Sequence, residues 1–162
     1  MGYSQGGLIA EYYAKVLGQA AKIHDVVGLA PTTHGTTLSG LANLARAIPG
    51  AGAFLGLFCQ ACVDQEAGSA VVNTLDSGPI AQAGVNYTIV ETRNELVVTP
   101  VGSAFINEPG VTNEYVQSFC ANDPVDHINL PYDQAVFRLV ENALSPGTAQ
   151  APNCAVAFPS PA

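Results

Sequence analysis

Met1-Gly2-Tyr3-Ser4-Gln5-Gly6-Gly7 opens the chain and runs directly into Leu8-Ile9-Ala10-Glu11-Tyr12-Tyr13. Gly2 to Gly6 spell G-x-S-x-G. That pattern belongs to a tight strand-to-helix turn that holds a serine hydroxyl out at the top of a sheet. Leu8, Ile9, Tyr12 and Val16 recur at helical spacing, which predicts a helix over Ser4 to Leu17 with Gly18 placed to end it. The turn needs a strand in front of it, and only the first three residues stand there.

Outward from this turn, helical and extended patterns alternate. Ile23 to Ala30, IHDVVGLA, is a short apolar run stopped by Pro31, as in a buried strand of a parallel sheet. The loop PTTHGTT follows. Leu38, Leu41, Ala45 and Ile48 then share one face of an expected helix over 38–48, and a small-residue run fills 49–62. GSAVVNTLDSGPIAQAG reads as helix then turn. VNYTIVE (85–91) is rich in β-branched residues and reads as the next strand, with TRNELVVTP as the loop off its end. VTNEYVQSF (111–119) alternates like a further strand. CANDPVDHINLP is a loop, and 133–144 is a last helix with Val136, Val140, Ala143 and Leu144 on one face. The class is therefore α/β with a mainly parallel sheet, although only three strands can be counted. The expected organisation is one α/β unit over 1–146 and a Pro/Ala-rich tail over 147–162.

With 162 residues, 48 % of them apolar and only 11 % charged, the chain has a globular composition. Thirteen acids against five basic residues give a net charge of −8. A nucleic-acid or anionic-membrane partner is not expected, because both require a basic face. No segment reads as a signal peptide. The longest uncharged run, AIPGAGAFLGLFCQACV (47–63), is shorter than the ~20 residues of a membrane span and is broken early by Pro49 and glycines. A buried or lid-like segment is expected there. An N-x-T sequon at Asn86 falls inside an expected buried strand, so glycosylation is not expected.

The cysteines are Cys59, Cys62, Cys120 and Cys154, and they allow three pairings. Cys154 sits in the tail APNCAVAFPSPA, which has little else to hold it, so a staple to Cys120 is favoured, leaving Cys59 with Cys62. Disulfides point to an oxidising compartment and hence a secreted protein. Cys59-x-x-Cys62 as a redox or zinc half-site lacks the βαβ start or the second ligand pair that either would need.

A serine hydroxyl needs a base to take its proton, and the base, usually histidine, needs a carboxylate behind it. The chain order in elbow hydrolases is Ser, Asp/Glu, His. His127, in the polar loop before the last helix, is the best base. His24 reads as surface, and His34 as a hydrogen-bonded loop residue near the site's rim. Glu95 follows the strand VNYTIVE and precedes His127, so it ranks first as the acid. Asp126 ranks second because a neighbour in sequence rarely points back at the same ring, and Asp123 shares that difficulty. Asp64 and Asp76 fall in helical regions.

GYSQGG, AEYYAKVLG, VVGLAPTTHGTT, CQACVDQEAGSAVVNTL, YTIVETRNELVVTP, VTNEYVQSFC and DHINLPYDQAVFRLVENAL together resemble secreted actinobacterial triacylglycerol lipases of the α/β-hydrolase fold, and more distantly the fungal lipase B type. The resemblance covers roughly residues 2–146. It implies ester hydrolysis through an acyl-enzyme, with Ser4 as nucleophile, His127 as base and Glu95 at the acid position of the segment Thr92 to Pro100. The Gln5 amide would be one oxyanion donor. No metal or cofactor is implied, and the partner is a lipid or other ester substrate. Val97 and Val98 are candidates to line its pocket, and the stretch over 38–62 to serve as lid or wall.

Two departures accompany the resemblance. The acid is Glu instead of Asp, so a longer side chain must fold back, and Tyr3 stands where His is commoner, a change expected to be tolerated. In the family the elbow lies near the middle of the mature chain. This sequence matches only the second half, so an N-terminal half with the first strands and the other oxyanion amide is expected to be missing. The alternatives are an inactive remnant, from a truncated gene or a misassigned start, and an acyltransferase or polyester depolymerase on the same triad.

Overall fold

The computed structural model describes residues 1–37, 39 and 60–155. Most of the expected helix 38–48, most of the run 49–62 and Cys59 lie outside the described residues. So does the proposed Cys59–Cys62 pair.

Four parallel strands form one sheet in the order β1-β2-β3-β4. They are β1 (Gly2–Tyr3), β2 (Asp25–Leu29), β3 (Asn86–Glu91) and β4 (Val111–Tyr115). The helices are α1 (Gln5–Lys15), α2 (Gln60–Asp64), α3 (Ala70–Asp76) and α4 (Gln134–Leu144). The α/β class and the parallel sheet are as expected, but the strands number four among the described residues. Gly2 and Tyr3 themselves form the strand in front of the serine, paired with Gly28 and Leu29 of β2. Two residues carry no periodicity, so only the pairing reveals them as a strand. The last expected strand is shorter than 111–119. After Tyr115 the chain turns into a 3₁₀ segment, Val116–Ser118. Val116 there is fully buried beside Val125 and Leu130.

The pleat sends alternate residues to opposite faces, and both faces are covered. Val26 of β2 and Tyr87 and Ile89 of β3 pack on one side with Leu8, Tyr12 and Val16 of α1 and Leu75 of α3. Val27, Leu29 and Val90 pack on the other with Ala135, Val136, Leu139 and Val140 of α4. The helices start where side chains meet orphan amides: Ser69 Oγ accepts Val72 N–H, and Asp133 Oδ1 accepts Val136 N–H. Asn86 departs from expectation. It is the first residue of β3 and is exposed at the sheet rim, with Nδ2 donating to Asp25 Oδ1 at 2.9 Å. Among the described residues, no helix is long and apolar enough to cross a membrane.

Cys120 and Cys154 form a disulfide across 34 positions of sequence. The bond ties the tail to Cys120, which is buried in the core cluster that includes Val136 and Leu139 of α4. Replacing both cysteines with serine is expected to lower stability by about 3–4 kcal/mol, the cost of opening a loop of that length. Urea denaturation would read this as a lower midpoint, and an unchanged midpoint would mean that the tail is held by other contacts.

Candidate active site

The turn at Ser4 has the shape that its sequence calls for. Ser4 lies at φ 51°, ψ −122°, a conformation rare for a residue with a side chain. Its own amide donates to Leu29 O at 2.8 Å, and its carbonyl accepts Gly7 N–H at 3.0 Å. The chain therefore passes from β1 to α1 with no loop between. Gly2 is obligatory, because a Cβ there would lie 2.2 Å from Gly6 O. Gly7 lets α1 approach Pro31, whose Cβ would be 2.5 Å from an added Cβ. A Cβ on Gly6 meets nothing within 4 Å. Gly2→Ala is accordingly expected to lower stability by about 1–3 kcal/mol and shift the melting temperature down, while Gly6→Ala leaves it within ~0.5 kcal/mol. Equal melting temperatures for the two variants would contradict this account of the turn.

The three residues expected to work together do meet. Glu95 and His127 lie on loops that leave the C-terminal ends of β3 and β4, and both side chains are buried. Glu95 Oε2 is 2.8 Å from His127 Nδ1, and His127 Nε2 is 3.1 Å from Ser4 Oγ. A carboxylate can only accept, so Nδ1 carries the proton and Nε2 is left to accept from the serine hydroxyl. The extra methylene of Glu95 is absorbed by a fold-back: Oε1 accepts the amides of Val97 and Val98 at 2.7 and 3.0 Å.

The two loops are bolted to each other. Thr92 Oγ1 donates to Val125 O at 2.6 Å, and Asn94 Nδ2 donates to Asp123 O and Val125 O. Gln117 Nε2 donates to both Thr92 Oγ1 and Asp123 O. Tyr3 joins the histidine to β1. Its hydroxyl donates to His127 O at 2.9 Å, and its ring centroid lies 5.1 Å from the imidazole. Burial and the nearby Glu95 charge push the Tyr3 phenol up, so it stays a donor.

The Gln5 amide is the first N–H of α1 and has no acceptor within the helix, so it is available beside Ser4. Val97 and Val98 are both buried, and Val98 packs in the core with Leu8 and Ile89. What joins both valines to the site is their amides.

The other acids and histidines have separate partners. Asp126 Oδ1 accepts the amide and side chain of Asn129. Asp123 Oδ1 accepts Val125 N–H, and Asp64 Oδ1 accepts Gln60 Nε2. His34 bridges Asp76 Oδ1 at 2.7 Å and Phe105 O at 3.1 Å, and His24 pairs with Asp25 at the surface. Sequence reasoning missed the tie from Tyr3 to His127 O, since a hydroxyl-to-carbonyl bond across 124 positions leaves no local pattern. It also missed the buried Glu11. That side chain is bonded by Thr33 Oγ1 at 3.0 Å, and burial raises its pKa to about 8.

A doubly covered parallel sheet, a serine at a strand-to-helix turn, and acid and histidine on loops at the carboxyl ends of later strands define the α/β-hydrolase architecture. Comparison with known proteins agrees on the fold. Aspergillus fumigatus lipase B superposes with a TM-score of 0.68 at 21 % identity, over 94 % of this chain. The match spans 37 % of the length of that lipase. No family model matches the sequence, and no curated protein matches it.

Proposed function

We propose that this chain carries the catalytic centre of a carboxylic ester hydrolase acting on triacylglycerols or other lipid esters. The observation that carries the reading is the unbroken alignment of Glu95 Oε2, His127 Nδ1, His127 Nε2 and Ser4 Oγ, at 2.8 and 3.1 Å. Ser4 Oγ attacks the ester carbonyl carbon as its proton passes to His127 Nε2. The Gln5 amide donates to the oxyanion that develops. Collapse expels the alcohol, which takes the proton from Nε2 and leaves acyl-Ser4. Water then repeats the sequence and releases the acid. Glu95 holds the tautomer throughout and stabilises the imidazolium. Val97 borders the acid and serves as a candidate wall for the acyl chain.

The test is release of p-nitrophenol from butyrate and octanoate esters by the purified chain, together with covalent labelling by a fluorophosphonate. The absence of both turnover and labelling would overturn the reading for this chain. The Cys120–Cys154 bond supports a secreted protein, with residues 1–146 as the hydrolase unit.

The 37 % coverage of the fungal lipase favours a second reading. Here the triad belongs to a larger hydrolase, and turnover needs further polypeptide beside β1 to supply a second oxyanion donor. Fluorophosphonate labelling without ester turnover is its signature. Assays with triglyceride, polyester and acyl-acceptor alcohols separate a lipase from a depolymerase or acyltransferase on the same triad.

A further inference from the structure

The loop that presents Glu95 leaves the sheet at Glu91, the last residue of β3, and is gripped again at Gly102. The Glu91 side chain is fully buried, and both of its oxygens lie on one donor, the Gly102 amide, at 3.1 and 2.9 Å. Gly102 has φ 92°, and a Cβ there would lie 3.2 Å from Tyr115 Oη, so glycine is needed for this approach. Tyr115 is the cross-strand partner of Glu91 on β4. Its ring is packed by Phe105 at 4.7 Å and covered by the Arg93 guanidinium at 4.3 Å. The base of the Glu95 loop is thus pinned to two adjacent strands. The mechanism above assigns Glu91 no role.

We propose that Glu91 is a positioning residue of the triad: its carboxyl closes the Glu95 loop on the Gly102 amide and so holds Glu95 at its distance from His127. This rests on the ester hydrolase reading. It also predicts a dependence on pH. Burial raises the Glu91 pKa to about 8, opposed by the Gly102 amide and reinforced by the Glu95 charge. The charged and titratable groups in play are Glu95, which acts on Glu91 from its own loop, and Tyr115 of β4, whose phenol Glu91 pushes up and Arg93 pulls down. At neutral pH Glu91 is the uncharged acid. The Gly102 bond favours the ionised form but burial outweighs it, so the clamped state loses stability relative to an open, solvated Glu91 as pH rises from the ordinary carboxylate range to about 8, and no further above that.

The experiment compares Glu91→Ala and Glu91→Gln in the full chain. Glu91→Ala is expected to lower kcat about 10-fold at pH 7 with KM changed less than about twofold, because orientation and not binding is lost. Glu91→Gln keeps an oxygen acceptor for Gly102 and recovers most of that loss. Having no proton to lose, it also lacks the loss of kcat that the weakening clamp causes in wild type as pH rises toward about 8. A Gln-to-wild-type kcat ratio that stays constant over that range, or an Ala variant as active as Gln, overturns the proposal.

Amide exchange at Gly102 is read in parallel, as protection relative to the free peptide. Protection should fall in wild type as pH rises toward about 8 and level off above it, persist in Glu91→Gln and be absent in Glu91→Ala. Wild type without esterase activity but with this exchange pattern defeats the functional reading and keeps the clamp. Equal protection in wild type and Glu91→Gln across the pH range defeats the clamp, even if Glu91→Ala fails to fold. Glu11 also titrates near 8, so loss of global stability at alkaline pH is not the readout.

Discussion

Ser4→Ala is expected to reduce p-nitrophenyl ester turnover by about 10⁴–10⁶, to the level left by binding and the remaining oxyanion donor. Among the described residues, the hydrogen bond of His127 Nε2 is to the Ser4 hydroxyl, at 3.1 Å. The melting temperature should change little, because alanine bears the strained backbone of the turn at about the same cost as serine. His127→Ala should match the loss in turnover without adding to it in the double variant, since the two residues act as one unit. Full fluorophosphonate labelling of Ser4→Ala would point to a nucleophile elsewhere in the chain.

Glu95→Gln should cost about 10³–10⁴ in kcat with little change in KM. The Val97 and Val98 amides demand an acceptor at the Oε1 position, so the glutamine carbonyl oxygen takes that place. Its NH₂ then faces His127 Nδ1. Nδ1 must accept, the ring proton moves to Nε2, and Nε2 can no longer take the proton of Ser4. Glu95→Asp should be milder, about 10-fold. The shorter side chain keeps the correct tautomer but cannot reach both the amide pair and His127. A rise in kcat in Glu95→Asp would show instead that the fold-back strains the wild-type triad. Proton NMR of the His127 Nδ1–H should separate the variants, with the downfield signal present in wild type and Asp and lost in Gln.

Much of this architecture was legible because it is local. The spacing of Leu8, Ile9, Tyr12 and Val16 specifies α1, and the branched run in 86–91 specifies β3. The preference for Glu95 over Asp126 rested on a short-range argument, that a neighbour cannot easily turn back on the same ring. Asp126 in fact bonds Asn129, three residues on. What escaped was long-range or too short to have a pattern. β1 has two residues and is a strand only because β2 offers Gly28 and Leu29 as partners. The strand expected over 111–119 ends at Tyr115 because Val116 is drawn into the core beneath α4. Val98, a candidate for the substrate wall, lies in the core on the other face of the sheet.

The sequence alone pointed to a serine on a glycine-flanked turn that enters a helix, since Gly2, Ser4 and Gly6 stand within a few bonds of one another. It also determined which acid and histidine follow in the right order, because strands and helices announce themselves by period. Only the tertiary structure decided that Ser4, His127 and Glu95 lie within hydrogen-bond reach, across 123 and 32 positions. It alone decided that Tyr3 bonds the His127 carbonyl and that Glu91 bonds the Gly102 amide. Those contacts follow from the order and register of four strands, which depend on the packing of both faces at once, and no stretch of chain carries that information by itself.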